Sequence, residues 1–205
     1  MTADTLRRSP LGHLAAAFAE QSAPAGGGVR LREVPFLAQL DLQLQPDGPA
    51  AGRIASALGT PLPTDPNTVA EAGELRVLWL GPEEWLLTGP DGSAPGTAVL
   101  LKAALLDEPG SVVDVSANRT TLELSGGAAR DVLEKGCALD LHPRAFAPGS
   151  CAQTLVAGVN VILHQVDQEP AYRLLVRGSF AQYLADWLLD AMEEYRHPPH
   201  GTVQV

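Results

Sequence analysis

Val112-Val113-Asp114-Val115-Ser116-Ala117-Asn118-Arg119-Thr120-Thr121-Leu122-Glu123-Leu124-Ser125-Gly126-Gly127 lies near the middle of the chain and decides its fold. Val112, Val113 and Val115 form an apolar run broken only by Asp114, which reads as a strand. Asn118-Arg119 marks a turn. Thr121, Leu122 and Leu124 make a second β-prone run, which Ser125-Gly126-Gly127 ends. Ala128, Ala129, Val132 and Leu133 then keep helical spacing. Gly136 is placed to end that helix, because a residue without Cβ enters the left-handed region freely. A short apolar piece, Cys137 to Leu141, leads into a loop stiffened by Pro143 and Pro148.

Toward the N-terminus the same kinds of element recur. Leu40, Leu42 and Leu44 alternate with Asp41, Gln43 and Gln45, the pattern of a half-buried strand. Ile54, Ala55 and Leu58 share a helix face that Gly59 ends. Residues 60–73 contain three prolines and read as an irregular loop. Leu75, Val77 and Trp79 open a strand, Gly81-Pro82 turns it, and Trp85-Leu86-Leu87 pairs back. Ala98, Leu101, Lys102 and Leu105 set a helix before the strand at 112–115. In the other direction, two apolar strands are predicted at Gln153–Ala157 and Val159–Val166, although 137–157 holds one strand or two. A strand at Tyr172–Val176 follows. The last helix carries the best periodic signal: Phe180, Tyr183, Leu184, Trp187, Leu188, Ala191, Met192 and Tyr195 fall on one stripe. Ser179 is its expected N-cap, and Pro198-Pro199 forbids its continuation.

The second half thus repeats the first. The expected fold is α+β, two ferredoxin-like β-α-β-β-α modules packed together. The expected domain division is a flexible N-terminal arm over 1–29, a single body over 30–196 and a tail over 197–205. Within the arm, Leu11, Leu14, Ala15 and Phe18 share a helix face that starts at Ser9-Pro10. Residues 22–28 read as a loose joint. Both a mobile tail and an arm that docks on another subunit fit that pattern.

Composition narrows the function. The 205 residues hold 24 Asp and Glu against 14 Lys and Arg, a net charge of −10. That balance opposes nucleic acid, whose phosphates need clustered cations, and opposes an anionic membrane surface. No apolar run reaches the roughly 20 residues of a membrane helix, and Leu11–Phe18 is too short for a signal peptide. A cytoplasmic, reducing compartment is expected. Cys137 and Cys151, the two cysteines, lack metal-site spacing and are expected to be buried and inert. His13, His142, His164, His197 and His200 are scattered; His197 and His200 are three apart in a Pro-rich tail. Gly26-Gly27-Gly28 and Gly126-Gly127 lack the spacing that cradles a pyrophosphate. Ser125 or Cys137 with His142 is the nearest approach to a nucleophile and base, and nothing in the spacing requires it. Glu83-Glu84-Trp85 reads as a solvated turn with Trp85 inward.

Three segments carry a resemblance. Asp114-Val115-Ser116, Leu122-Glu123-Leu124-Ser125-Gly126 and the helix to Gly136 are similar to the folate-binding domain of glycine-cleavage aminomethyltransferases. Gly136-Cys137-Ala138-Leu139-Asp140-Leu141-His142-Pro143-Arg144-Ala145-Phe146 resembles the gamma-subunit family of heterotetrameric sarcosine oxidase. Residues 31–46 and Leu80-Gly81-Pro82-Glu83-Glu84-Trp85-Leu86-Leu87 support it, and the likeness spans roughly residues 30–195. The resemblance implies a subunit without catalytic, cofactor or metal residues of its own. Its partners are then larger subunits, chiefly alpha. The complex would demethylate sarcosine oxidatively to glycine, pass the one-carbon unit to tetrahydrofolate, and carry FAD, FMN, NAD and tetrahydrofolate on those other subunits. The resembled transferases place a catalytic carboxylate where this chain has Ala157-Gly158-Val159-Asn160. No Asp or Glu occurs between Gly149 and Val166, and the Asn160 amide accepts no proton near neutral pH. His142, Arg144 and Phe146 are then the expected partner-docking residues, since Arg and aromatic side chains are enriched at interfaces; the alternative is a loop that plugs its own core with Phe146. A stand-alone folate-binding protein of the aminomethyltransferase-like group is the competing expectation.

Overall fold

A computed structural model describes residues 7–22 and 28–195. The chain divides into two compact units, one made of residues 1–35, 120–148 and 154–205, the other of 36–119 and 149–153.

The second unit is almost continuous in sequence. Its elements are β2 (Ala38–Leu44), α2 (Pro49–Leu58), β3 (Val69–Ala72), β4 (Leu75–Gly81), β5 (Glu84–Gly89), α3 (Ala94–Leu105) and β6 (Gly110–Asp114). The strands form one sheet in the order β3-β4-β5-β2-β6, antiparallel at each pairing. Leu40, Leu42 and Leu44 alternate into a core that also holds Ile54, Val77, Trp85, Leu87, Leu101 and Val112. The two-residue period of a strand puts all three leucines on one face. Gly59 takes the left-handed conformation at φ 75° and ends α2, as its position in the sequence predicts. Arg53 on α2 donates from Nε to the carbonyl of Ala104 (2.7 Å) and from a terminal nitrogen to that of Leu105 (2.9 Å). A cation thus meets the unpaired carbonyls at the end of α3, where the helix dipole favours it.

The first unit contains β1 (Arg30–Val34), β7 (Arg119–Ser125), α4 (Ala129–Glu134), β8 (Cys151–Val156), β9 (Val159–Asp167), β10 (Ala171–Arg177) and α5 (Gly178–Met192). The start of β7 at Arg119 and of β8 at Cys151–Gln153 is counted with the other unit. The sheet order is β1-β7-β10-β9-β8. Read from its other end, the first sheet is β6-β2-β5-β4-β3, so corresponding strands of the two runs occupy corresponding places. The one departure is β1, which comes from the start of the chain and takes the place that β6 holds, pairing antiparallel with β7. The fold is α+β with two antiparallel sheets.

Several sequence expectations change. The 60–73 segment holds a strand, β3, whose four residues were too short to show against three prolines. Cys137–Leu141 is no strand; Cys137 makes a single bridge to Val156. Gly136 is not left-handed; it is a glycine because the Trp187 ring occupies the space of its missing Cβ. α5 is turned relative to the predicted stripe. Its buried residues are Ala181, Leu184, Ala185, Leu188, Leu189, Ala191 and Met192, while Phe180 and Tyr183 are 50% and 53% exposed. Small alanines let the helix approach closely, which hydrophobic bulk alone does not reveal. Ser179 lies inside the first turn; Arg177 is the N-cap, with no side-chain cap bond.

The N-terminal segment packs over part of its length. A 3₁₀ turn (Gly12–Leu14) leads into α1 (Ala15–Gln21), and Leu11 and Phe18 are buried. Ser22 Oγ accepts from the Leu31 N–H (3.1 Å) and donates to the Phe18 carbonyl (2.6 Å), tying α1 to the edge of β1. The Gly-rich joint at 23–27, residues 1–6 and the tail with His197, Pro198, Pro199 and His200 lie outside the described residues.

Candidate functional site

Asn160 stands second in β9, exposed, just after the Ala157-Gly158 turn. Both turn residues have positive φ, 52° and 79°, the pair that a tight two-residue hairpin requires. The Tyr183 hydroxyl donates to the Ala157 carbonyl (3.1 Å) and fixes the turn against α5. An amide side chain on a braced hairpin offers no proton acceptor, so the position supports no general-base step.

The 140–146 loop is held from within. Asp140 Oδ1 accepts from the His142 N–H (3.0 Å), and His142 Nδ1 accepts from the Arg144 N–H (3.2 Å). The His142 carbonyl receives the N–H groups of both Ala145 (2.8 Å) and Phe146 (2.9 Å). With Nδ1 as acceptor, the neutral ring carries its proton on Nε2. His142 and Arg144 are exposed, but Phe146 is buried and is not presented outward. The loop buries Phe146 and Leu141 and shows the imidazole and the guanidinium. These ring and backbone bonds stay inside the loop and join His142 to neither Ser125 nor Cys137.

Among the described residues the remaining titratable groups build no metal centre. His13 shares a hydrogen bond with Gln182 Oε1 (2.6 Å), and His164 is buried. Among the described residues, no group of three or more His, Cys, Asp and Glu is placed to hold a metal ion. Cys137 and Cys151 are free thiols. Cys151 is fully buried, its Sγ near the carbonyls of Trp79 (3.4 Å) and Thr68 (3.5 Å), and burial pushes its thiol up to about 12. Cys137 is only half-buried, against expectation.

The sequence missed one carboxyl pair. Glu84 opens β5 rather than a solvated turn. Burial raises its pKa, with the charge of Asp41 and a hydrogen bond to it adding to the shift and Arg119 opposing it. Trp85 beside it is fully buried and donates from Nε1 to the Pro63 carbonyl (2.8 Å). Alternation along the strand sends Trp85 inward and Glu84 to the opposite face. A groove of about 660 Å³ also lies beside α1 and β1, lined by Leu11, Phe18, Leu31, Arg32, Glu33 and Glu123 among others. Within it Arg32 pairs with Glu123, and Glu33 accepts from the Ser9 and Thr120 hydroxyls. Among the described residues, no helix is long and apolar enough to cross a membrane.

Comparison places this architecture. The chain superposes on the glycine cleavage system aminomethyltransferase T from Bartonella henselae with a TM-score of 0.62 at 16% identity, over 88% of this chain and 49% of that one. The class is therefore an aminomethyltransferase-like α+β fold. Residues 45–194 match the profile of the sarcosine oxidase, gamma subunit family, and the chain belongs to that family. It is 46% identical over 195 residues to the sarcosine oxidase subunit gamma of Arthrobacter sp, covering 95% of this chain and 94% of the relative. Identity to the same subunit of Corynebacterium sp. (strain P-1) is 44% over 196 residues, with 95% and 94% covered. A chain of the heterotetrameric sarcosine oxidase from Corynebacterium sp. U-96, solved with pyrrole 2-carboxylate, superposes with a TM-score of 0.87 at 40% identity, over 96% of this chain and 100% of that one.

Proposed function

We propose that this chain serves a heterotetrameric sarcosine oxidase as its gamma subunit, an assembling part with no active site of its own. The observation that carries the reading is the nearly end-to-end match to relatives of that name, joined to a β8–β9 hairpin without a carboxylate from Gly149 to Val166. Its partners are the larger subunits, chiefly alpha. In this reading those subunits hold FAD, FMN, NAD and tetrahydrofolate. They demethylate sarcosine oxidatively to glycine and pass the one-carbon unit to tetrahydrofolate, in the cytoplasm. The two units are ferredoxin-like modules, with β1 completing the one that lacks a contiguous last strand. Residues 1–29 form the arm, 30–196 the body and 197–205 the tail. His142 and Arg144 touch a larger subunit, and Phe146 holds from inside the loop that presents them.

The test is purification of the chain alone and with its co-expressed larger subunits. Alone it is expected to be colourless and inactive on sarcosine; in the complex it co-purifies in fixed stoichiometry. Flavin absorbance near ~450 nm in the isolated chain would sink the reading, because flavin chemistry belongs to a cofactor this chain is not expected to hold. The likeness to an aminomethyltransferase favours one second reading, a stand-alone folate-binding protein. Micromolar or tighter tetrahydrofolate binding by the isolated chain would select it.

A further inference from the structure

Three exposed large apolar side chains stand together on α3 and just after it: Val99 at 70%, Leu100 at 44% and Leu106 at 67%. The inner side of α3 is already committed, with Ala94, Leu101 and Leu105 buried. Lys102 is the one charged residue among its twelve. A helix with water on one side normally turns a polar face to it, and a helix apolar all round is covered on both sides. α3 has the composition of the second kind and the exposure of the first.

Leu106 sharpens the contrast. Its φ of 55° and ψ of −131° are a conformation that glycine adopts readily and leucine does not. That backbone carries an apolar side chain that is two thirds exposed. Beside it, β6 ends the sheet and, among the described residues, pairs only with β2. Val115 sends its N–H to the Gln39 carbonyl (2.9 Å). By alternation Val113 and Ser111 also bond toward β2, and the backbone groups of Val112 and Asp114 point away from the sheet. An open edge of this kind is a template for a further strand.

The charges around this surface are in acidic excess, with Lys102 on α3 and the Arg53 guanidinium, already spent on the Ala104 and Leu105 carbonyls, as the cations near it. Asp107, Glu108 and Asp114 flank it, and Glu83 closes a groove of about 330 Å³ with Pro109, Gly110 and Ser111. From residue 94 to 114 the only cation is Lys102. We propose that the outer face of α3 and the open edge of β6 form one docking surface. Its occupant is a larger subunit of the complex that presents an aliphatic strip bordered by Lys and Arg. This inference rests on the assembly reading and names the surface that serves it. Charge selects the occupant. A two-fold contact between two copies sets each patch against itself, so Asp107, Glu108 and Asp114 would meet their own carboxylates in a chain of net charge −10. Like charges set face to face suppress that pairing, and a basic-rimmed partner gains both contact and steering.

The experiment uses the co-expressed complex with two variants, each first checked as an isolated chain for unchanged thermal unfolding. Val99→Asp/Leu106→Asp is expected to lower affinity for the larger subunits at least tenfold. Asp107→Lys/Glu108→Lys is expected to slow association and flatten its dependence on salt. Assembly of both variants at wild-type strength overturns the docking surface while the assembly reading stands. An isolated wild-type chain that dimerises, with the dimer lost in Val99→Asp/Leu106→Asp, overturns the occupant. A wild-type chain that does not assemble with the larger subunits overturns the assembly reading, and this proposal with it.

Discussion

The Trp187 ring lies where a side chain of residue 136 would begin: its Cζ2 and Cη2 atoms are 2.6 and 2.7 Å from the Cβ position that Gly136 leaves empty. Both backbone groups of Gly136 are engaged as well, its N–H with the Leu133 carbonyl (3.0 Å) and its carbonyl with the Ala157 N–H (2.9 Å). The end of α4, the β8–β9 turn and α5 therefore converge on one glycine. Gly136→Ala is expected to destabilise the chain by about 2 kcal/mol, because the backbone is held and the ring must move. Trp187→Ala is expected to cost roughly 2–3 kcal/mol, below the usual range for a fully buried ring, since Trp187 is only half-buried. In a double-mutant cycle read by urea unfolding, Gly136→Ala should cost much less once Trp187 is Leu. Additive losses would remove the coupling.

Glu84 makes a pH prediction with a definite sign. Its folded pKa lies above the ordinary 4.5, so the folded state holds this proton after the unfolded chain has released it. Stability from this group therefore falls as pH rises out of the ordinary carboxyl range. Glu84→Gln removes the loss. The variant should be at least as stable as wild type at neutral pH, and the difference should close near roughly pH 4. A Glu84→Gln chain that is less stable at neutral pH would assign Glu84 a favourable charge contact instead.

Cys151 should be silent toward thiol reagents. A thiol pushed up to about 12 carries almost no thiolate at neutral pH, and the thiolate is the nucleophile. Titration of the native chain with a disulfide reagent should count at most one thiol, Cys137, and two after denaturation. Fast reaction of Cys151 in the native chain would require an opening that its burial does not provide.

Phe18→Ala should destabilise the first unit by about 3 kcal/mol, the ordinary cost of emptying a buried aromatic site. Phe18 is 4% exposed and Leu11 is fully buried. Thermal unfolding of the isolated variant checks this, and an unchanged midpoint would return residues 11–21 to the status of a loose appendage.

The sequence showed most clearly what alternation and helical spacing encode. Leu40, Leu42 and Leu44 announced β2, and Gly59 announced the end of α2. Gly136 reads locally as a helix end, because local rules speak of backbone conformation and cannot see a ring arriving from 51 residues further on. The stripe on α5 reads turned because aromatic bulk outweighs Ala181 and Ala185, which are the residues that face in. β1 is not legible in the sequence, since its five residues, Arg30–Val34, are mostly charged and stand far from their partner. The carboxyl pair of Glu84 and Asp41 is a product of sheet register. In the 140–146 loop the residues were legible and their directions were not: Phe146 faces in, His142 and Arg144 face out. On α3 a signal was present in the string Val99-Leu100-Leu101 and Leu105-Leu106, more apolar residues than one buried face uses.

The place of β1 governs the order in which the chain becomes a structure. Arg30 pairs with Ser125 and Val34 with Thr121, so this strand waits for almost ninety residues before it has a strand partner. Nearly all of the second unit lies inside that interval, from Phe36 to Arg119. Its contacts close early, while those of β1 close late and over a long loop. Since domains fold during synthesis as their residues emerge, the internal unit leads and the flanking unit follows. Until β7 arrives, Leu31 and the exposed edge of β1 are what a nascent chain shows to chaperones.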